Sequence, residues 1–255
     1  MQRAECNLER PMQDRDEGFG EFYAQQKNWD DGRFGVLTPR EKGDITAAIR
    51  ISRASLPPES RVLDIGFGNG GFLVYGRKRK WEMQGTEMNE LLLQRARRNG
   101  FEVTHGDGLN RFADDTFDLV VADSVLEHVP CDKITPMLRS IRAVARDGAV
   151  FMARFPNGDS PFGRFVQHGD PTHITTLGSF KAAYYAREAG MEIIYLGGEP
   201  QPLRAGLKHF CYRLIANPIR WVLNLFLNLL FCPGNRKALC SVNLVLIARV
   251  TKTYD

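Results

Sequence analysis

The sequence predicts an α/β fold built on one doubly wound, mostly parallel sheet of seven strands. Short apolar runs alternate with helical patterns from residue 60 to about residue 200. Most of these runs are continuous apolar stretches, as expected for strands that a parallel sheet buries on both faces. The chain has 255 residues, of which 43% are hydrophobic, so it can bury a full core of this kind. We therefore expect one domain with added segments.

Seven runs are strand candidates, and most are brief and apolar. They span residues 61–66, 82–87, 102–106, 117–123, 148–154, 192–197 and 242–250. Helical patterns occupy residues 40–54, 90–99, 133–144 and 179–189. Gly100 and Gly190 end two of these helices, because glycine readily adopts the conformation that closes a helix. The alternation of strands and helices predicts parallel strands, with ligands bound at their carboxyl ends.

Four segments follow from these patterns. Residues 1–58 form an N-terminal helical cap or lid, and residues 59–198 form the ligand-binding core. About 40 residues separate the sixth and seventh strands, so residues 199–240 form a hydrophobic helical insertion. Residues 241–255 return to the core as its last strand.

Composition and charge exclude several classes of protein. The formal net charge of +4 is spread over 34 basic and 30 acidic residues, which is too diffuse for a nucleic-acid-binding surface. The five cysteines form no CxxC pair and give no disulfide framework, as expected in a reducing compartment. The polar N-terminus lacks the apolar core of a secretory signal. We expect a cytoplasmic protein that does not bind nucleic acid.

The stretch VLDIGFGNGG, residues 62–71, joins the first strand to a helix. Glycines in such a turn permit positive φ angles and let the backbone approach a ligand closely. Gly66, Gly68 and Gly71 also fit the GxGxxG pattern of dinucleotide-binding proteins. An NAD(P)-dependent enzyme therefore remains an alternative.

Three acidic residues near the ends of successive strands favour a different cofactor. Asp64 precedes the first glycine by two residues, where a negative charge suits a cationic amino-acid group better than a pyrophosphate. Glu87 ends the second strand and can accept hydrogen bonds from ribose hydroxyls, which both cofactor types possess. Asp107 follows the third strand, where it can accept a hydrogen bond from an adenine amino group.

Several linked motifs resemble those of class I S-adenosylmethionine-dependent methyltransferases. They cover residues 61–198 in the expected order and read VLDIGFGNGGF, GTEMNELLLQRARRNG, HGDGLN, FDLVVADSVLEHVP and DGAVFMARFPN. The resemblance implies a Rossmann-like sheet with an antiparallel last strand, and S-adenosyl-L-methionine as cofactor. The cofactor-binding residues that it implies are Asp64, Gly66, Phe67, Gly68, Gly70, Glu87, Met88, Asp107, Gly108, Leu109, Asp123 and Ser124. Phe67 and Arg154 depart from the usual pattern, the latter by placing a charge in the fifth strand.

The acceptor is expected to be a small or lipid-linked molecule that is methylated on a hydroxyl. The segments LEHV, PN and PTHITTLGSF resemble the small-molecule methyltransferases of bacterial glycan and quinone biosynthesis. A hydroxyl must lose its proton during transfer, and His128 and His173 lie in loops at the cofactor end of the sheet. Each histidine is a candidate base or a structural residue of its loop. Glu127 adjoins His128, but two adjacent ligand types without a third are insufficient, so we expect no metal.

Aromatic and charged residues before the glycine motif have two interpretations. Tyr23, Trp29, Arg33 and Phe34 either line and close the site or pack on the sheet as an amphipathic wrapper. The first interpretation follows from similar methyltransferases, in which this segment folds over the cofactor. The second follows from the mixture of aromatic and charged residues, and the sequence does not choose between them.

The insertion contains a strongly apolar helix, predicted at residues 218–231. Asn217 is its expected N-cap and Pro218 fits its first turn. One polar stripe runs along it, comprising Arg213, Asn217, Arg220, Asn224 and Asn228. The rest is apolar but shorter than the roughly 20 residues that span a bilayer.

We therefore expect residues 213–232 to contact a membrane surface, on the inner face of the membrane. Positive charge flanks the helix at Arg204, Lys208, Arg213, Arg236 and Lys237, which suits anionic lipid headgroups. A homodimer interface and a substrate lid packed on the core are the alternatives. A catalytically silent scaffold in a membrane assembly is the remaining alternative function.

Overall fold

In a computed structural model, which describes residues 31–106, 108–202, 207–234 and 236–252, the chain forms one seven-stranded sheet covered by helices. The strands are β1 (Arg61–Ile65), β2 (Glu82–Glu87), β3 (Glu102–His105), β4 (Phe117–Asp123), β5 (Ala145–Pro156), β6 (Met191–Gly198) and β7 (Asn243–Val250). The helices are α1 (Pro39–Ser52), α2 (Gly71–Lys78), α3 (Glu90–Arg98), α4 (Cys131–Val144), α5 (Arg164–Gly169), α6 (Ser179–Glu188) and α7 (Leu207–Phe231).

The sheet has the order β3-β2-β1-β4-β5-β7-β6. Strand β7 runs antiparallel to both of its neighbours, whereas the other pairs are parallel. The predicted mostly parallel Rossmann-like sheet with an antiparallel last strand is therefore confirmed. Strand order reverses between β1 and β4, so the carboxyl ends of these two strands define the crevice where such folds bind ligands.

Two apolar layers, one on each face of the sheet, hold the fold together. On one face α4 and α6 pack on Phe117, Phe151 and Phe155, each of which is fully buried. On the other face α1, α2 and α3 pack around Leu73 and Leu93. Because the central strands are covered on both sides, their sequences read as continuous apolar runs.

Helix α1 shows why the predicted helix boundaries agree with the structure. Thr38 and Glu41 form a reciprocal capping box, and Pro39 occupies the first turn, where its missing N–H costs nothing. Arg53 then closes the helix in the left-handed conformation with φ 54°. Local sequence signals determine both ends of this helix.

The predicted start of the last helix is wrong. Helix α7 begins at Leu207, so Pro218 lies inside it and Asn217 is not its N-cap. The Asn217 side chain instead donates a hydrogen bond to the Gln201 carbonyl, 3.3 Å away. Proline removes one helical hydrogen bond, and the contacts of Arg213 with Asp44 and with the Pro202 carbonyl anchor the preceding turns against that loss.

Because the helix is longer than predicted, its apolar part is also longer. Residues Phe210–Phe231, 22 in all with a mean hydropathy of 1.4, are long and apolar enough to cross a membrane by length and composition. The expectation that the apolar run is too short to do so is therefore corrected.

Candidate active site

The glycine loop is a tight turn between β1 and α2 that only glycine readily allows. Gly66, Gly68 and Gly70 have φ angles of 65°, 52° and 70°. A Cβ atom on Gly66 would lie 2.7 Å from Val125 Cγ2. Both this clash and the positive φ angle therefore exclude a residue with a side chain at this position. The Phe67 side chain is buried in the core, and therefore presents no ring to a ligand in the crevice.

Glu87, at the end of β2, closes the glycine loop. One carboxylate oxygen accepts a hydrogen bond from the Gly68 N–H at 3.0 Å. The other accepts from the N–H groups of Met88 and Asn89 at 2.8 and 3.1 Å. A carboxylate oxygen has further lone-pair capacity, so Glu87 can still accept from ribose hydroxyls while it positions the loop. The Met88 side chain is exposed beside it.

Asp64 places a buried carboxyl at the crevice. Its side chain is only 3% exposed, and among the described residues its Oδ2 has no hydrogen-bond partner. Burial raises the pKa of this carboxyl well above its usual range, and the nearby Asp123 and Glu87 raise it further. A cation bound here would relieve both penalties, whereas a pyrophosphate would add to them.

The carboxyl end of β4 is held by Arg154, the unexpected charge in β5. Arg154 donates to both oxygens of Asp123 at 2.7 and 3.0 Å, and to Glu199 at 2.9 Å. These acids raise the pKa of Arg154, and Asn243 also donates to Glu199. Ser124, the next residue after β4, has a positive φ of 57°, a strained conformation typical of functional turns. Arg154 therefore fixes the position of Asp123 at the crevice.

The region after β3 is described in part. Asp107, the expected adenine acceptor, lies outside the described residues. Gly108 follows it, and Leu109 is buried at the start of the turn Leu109–Arg111. Gly106 donates its N–H to the Glu87 carbonyl at 3.0 Å, so this loop is joined to the ribose-binding candidate.

The two candidate histidines lie together. The rings of His128 and His173 are 4.7 Å apart in an edge-on arrangement, although the two residues are 45 positions apart in the sequence. Nδ1 of His128 lies 3.2 Å from the Thr172 carbonyl, and Nδ1 of His173 lies 3.1 Å from the Val166 carbonyl. A carbonyl only accepts, so each Nδ1 carries the proton and each Nε2 is the basic nitrogen of the neutral ring.

Carboxylates surround His173. Its Nε2 is 3.9 Å from Glu127 Oε1 and 3.7 Å from Asp170 Oδ2, and the Glu127 side chain is almost fully buried. Ligand atoms of Glu127, His128 and His173 all lie within 4.8 Å of one another, a grouping able to hold a metal ion after a small adjustment. Sequence reasoning weighed Glu127 only as the neighbour of His128, because the contact with His173 depends on the loop after β5.

Residues just before α1 contact the glycine loop directly. Gly35 donates its N–H to the Asn69 carbonyl at 2.7 Å, and the Asn69 side chain donates to the Arg33 carbonyl. The Phe34 ring packs against Gly70 and against Phe101 at 6.1 Å. The described part of this segment therefore wraps the loop, while Tyr23 and Trp29 lie outside the described residues.

The sequence from β1 to the start of β5, residues 62–148, matches a family model described as a methyltransferase domain. This part of the chain is therefore similar to methyltransferase domains. A search of curated proteins found no match to the sequence.

Solved structures of methyltransferases share this fold. A SAM-dependent methyltransferase from Archaeoglobus fulgidus is 18% identical with a TM-score of 0.62, over 90% of this chain and 98% of that one. A putative methyltransferase from Haloferax volcanii, in complex with the activator Trm112, is 16% identical with a TM-score of 0.62, over 94% and 99%. Phosphoethanolamine N-methyltransferase 2 from Haemonchus contortus, in complex with S-adenosyl-L-methionine, is 13% identical with a TM-score of 0.58, over 91% and 60%.

These comparisons confirm the fold of class I S-adenosylmethionine-dependent methyltransferases. The electrostatics of the crevice agree with such a fold, because Asp64, Glu87 and Asp123 converge there and favour a cationic ligand. The orphaned Oδ2 of Asp64 and the positive-φ glycines fit the sulfonium and amino groups of S-adenosylmethionine better than a dinucleotide.

Proposed function

We propose that this protein methylates a hydroxyl of a small or lipid-linked acceptor, in bacterial glycan, lipid or quinone biosynthesis. The observation that supports O-methylation is the contact between His128 and His173, with Glu127 beside them, just beyond the carboxyl end of β4. A hydroxyl acceptor needs a nearby proton acceptor, whereas a neutral amine can attack first and lose its proton later.

The residues that line the crevice would hold the cofactor. The glycine loop would offer close backbone approach, Glu87 would accept hydrogen bonds from the ribose, and Asp64 would balance the cationic amino-acid end. When bound, S-adenosylmethionine supplies an electrophilic methyl group that passes to the acceptor oxygen, and the C–S bonding electrons remain on sulfur. Alignment and water exclusion supply most of the rate enhancement in such an in-line displacement.

We assign the proton-accepting role to His128. Its Nδ1–H donates to the Thr172 carbonyl, which fixes the ring with Nε2 as the basic nitrogen that would take the acceptor's proton. His173 is more deeply enclosed, with Glu127 and Asp170 facing its Nε2. His173 is therefore a positioning residue that holds the His128 ring and stabilises positive charge on the pair.

The lipid-linked alternative for the acceptor is supported by the location of the insertion. Strand β6 ends at Gly198, which pairs with Leu244, and β7 starts at Asn243, which pairs with Pro156 at the end of β5. Helix α7 therefore leaves and rejoins the sheet at its carboxyl edge, where the candidate site lies. The biosynthetic context rests on the resemblance of LEHV and PTHITTLGSF described above.

Methyl transfer from tritiated S-adenosylmethionine to a panel of hydroxyquinones and polyprenyl-linked sugars tests this proposal. His128→Ala should lower turnover roughly 100-fold or more and leave S-adenosylhomocysteine affinity unchanged. His168→Ala is the matched control, because His168 is exposed on α5, and it should retain full turnover. Full turnover in His128→Ala, or transfer to amines alone, would refute the assignment.

Metal dependence distinguishes a proton-accepting pair from a metal site. With His128 as base, turnover should survive treatment with a chelator. Loss of activity with EDTA, and its recovery with Mg²⁺ or Mn²⁺, would instead assign Glu127, His128 and His173 to a divalent ion.

A further inference from the structure

We infer that α7 lies in the plane of an anionic bilayer surface and attaches the protein to it. An ordinary surface helix packs its apolar side on the protein and exposes its polar side. Helix α7 does the opposite, because its polar stripe faces the protein and its apolar side faces outward. The inference concerns attachment and holds whatever the methyl acceptor is.

The polar stripe is fastened to the protein along its length. Arg213 is 2% exposed and bonds Asp44 of α1 at 3.1 Å. Asn224 accepts from the Cys240 N–H at 3.1 Å, and Asn228 exchanges two hydrogen bonds with the Lys237 backbone at 2.6 and 2.8 Å. Both halves of the helix are therefore tied to the domain by satisfied buried polar groups.

The outward side is a wide, uninterrupted apolar surface. Only 6% of its most apolar stretch is buried. The large exposed residues are Phe210, Tyr212, Leu214, Ile215, Ile219, Trp221, Val222, Leu223, Phe226, Leu229, Leu230 and Phe231. At about 100° per residue, the ten from Tyr212 to Leu230 cover an arc of about 200°, whereas the polar stripe covers about 80°. Phe210 and Phe231, near the two ends of the helix, lie on the side of the polar stripe.

The width of this arc favours a lipid environment over a second copy of the chain. A helix that packs against one partner needs an apolar stripe of roughly 100°, and a protein interface has a polar rim. Here the apolar surface runs from one border of the polar stripe to the other. Exposed Trp221 and Tyr212 are residue types that favour the interface between lipid and water.

Charge complements an anionic surface. Between residues 199 and 240 there are six basic residues and one acidic residue, a formal charge of +5, which exceeds the +4 of the whole chain. Within α7 after Leu214, the one charged residue is Arg220, at the edge of the polar stripe. Arg213 and Lys237 pair with Asp44 and Asp159, so in the described part of this segment Arg220 and the exposed Arg236 supply the positive charge for anionic headgroups.

The helix lies in the membrane plane rather than across it. Spanning would require Arg213 to leave Asp44 and Asn228 to leave Lys237, which would strand buried polar groups in hydrocarbon. An in-plane helix keeps these bonds and buries the outward arc among the headgroups and upper acyl chains.

Vesicle flotation of the full chain tests the attachment. Wild-type protein should float with phosphatidylcholine vesicles that contain phosphatidylglycerol, and less with phosphatidylcholine alone. The double variant Trp221→Asp with Phe226→Asp should bind vesicles roughly 100-fold more weakly. The matched control, Phe180→Asp with Tyr184→Asp, places the same change on exposed residues of α6, on the opposite sheet face from α1, and should float like wild type.

S-adenosylhomocysteine binding by isothermal titration checks that each variant is folded. Equal flotation of the α7 variant and wild type, or equal loss in the α6 control, would overturn the inference. It also fails if wild type stays in the aqueous fraction and sediments as a dimer that the α7 substitutions dissociate.

Spin labels on two native cysteines can report the orientation of the helix in the membrane. Cys211 and Cys232 lie near its two ends, so single-cysteine proteins carrying a spin label at either position report the depth of each end. In-plane binding predicts similar shallow depths by power-saturation EPR. Labels in opposite leaflets would mean that the helix spans the bilayer and would overturn the in-plane assignment.

Discussion

Replacing Asp64 with Asn should stabilise the ligand-free protein and weaken cofactor binding at the same time. The Asp64 carboxyl is buried, its Oδ2 is unsatisfied among the described residues, and burial followed by Asp123 and Glu87 raises its pKa. Because the folded protein holds this proton more tightly than the unfolded chain, stability declines as pH rises above the ordinary carboxyl value of 3.8. The loss levels off once pH exceeds the raised folded-state pKa.

The size of the effect follows from the cost of an unsatisfied buried group. Asn removes the charge penalty, so the ligand-free variant should gain about 1–3 kcal/mol at pH 7. For a chain of this length each kcal/mol raises the unfolding midpoint by about 2–4 °C. The gain should shrink as pH falls toward 3.8 and vanish well below it, where the wild-type carboxyl is protonated in both states.

Cofactor affinity should change in the opposite direction. Loss of a charged partner for the amino-acid end should weaken S-adenosylhomocysteine binding by about 1.5–3 kcal/mol, or roughly 10- to 150-fold. Thermal unfolding at pH 7 and pH 4, with and without S-adenosylhomocysteine, measures both effects. A variant that is less stable than wild type at pH 7 and binds the ligand equally well would refute the assigned role of Asp64.

Three further substitutions test other contacts of the fold and site. Glu87→Ala should weaken S-adenosylhomocysteine binding by about 1–3 kcal/mol. Glu87→Gln should weaken it less, because the Gln side chain keeps one acceptor oxygen. Equal affinity of the wild type and both variants in calorimetry would remove Glu87 from the site. Arg154→Gln should destabilise the fold by about 1–3 kcal/mol, because the buried Glu199 side chain loses its charged partner. Adding Glu199→Gln should recover part of that loss when the two single variants and the double variant are compared by urea denaturation. Additive losses would mean that Arg154 and Glu199 are not energetically coupled. Arg213→Met should speed hydrogen exchange in α7 by roughly tenfold or more, because α7 loses its ion pair with Asp44 of α1; unchanged exchange would show that this pair does not hold the helix.

The sheet could be predicted closely because its signals are local. Continuous apolar runs, the glycines and the capping residues each act within a few positions, so most strands begin and end near their predicted positions. The start of α7 could not be found in this way. Asn217 followed by Pro218 is a strong local start signal, but tertiary bonds from Arg213 keep the preceding turns helical.

In the candidate site, too, residues with local signals could be predicted and contacts between distant segments could not. The sequence indicates Asp64, Glu87 and the glycines, because each occupies a fixed position relative to a strand end. It could not reveal that Arg154 binds Asp123 and Glu199, or that Glu127 faces His173. Those contacts join segments that are distant in the chain and depend on the β6–β7 connection and the loop after β5.

Isothermal titration of the purified protein with S-adenosylhomocysteine, and separately with NADH and NADPH, tests the central claim most directly. An acid-lined crevice behind a glycine loop predicts binding of one S-adenosylhomocysteine in the micromolar range, about −7 to −8 kcal/mol. It predicts no binding of either dinucleotide, because a pyrophosphate would add negative charge beside Asp64, Glu87 and Asp123. Binding of NADH or NADPH without S-adenosylhomocysteine would identify a dinucleotide enzyme, and binding of neither would identify a catalytically silent scaffold.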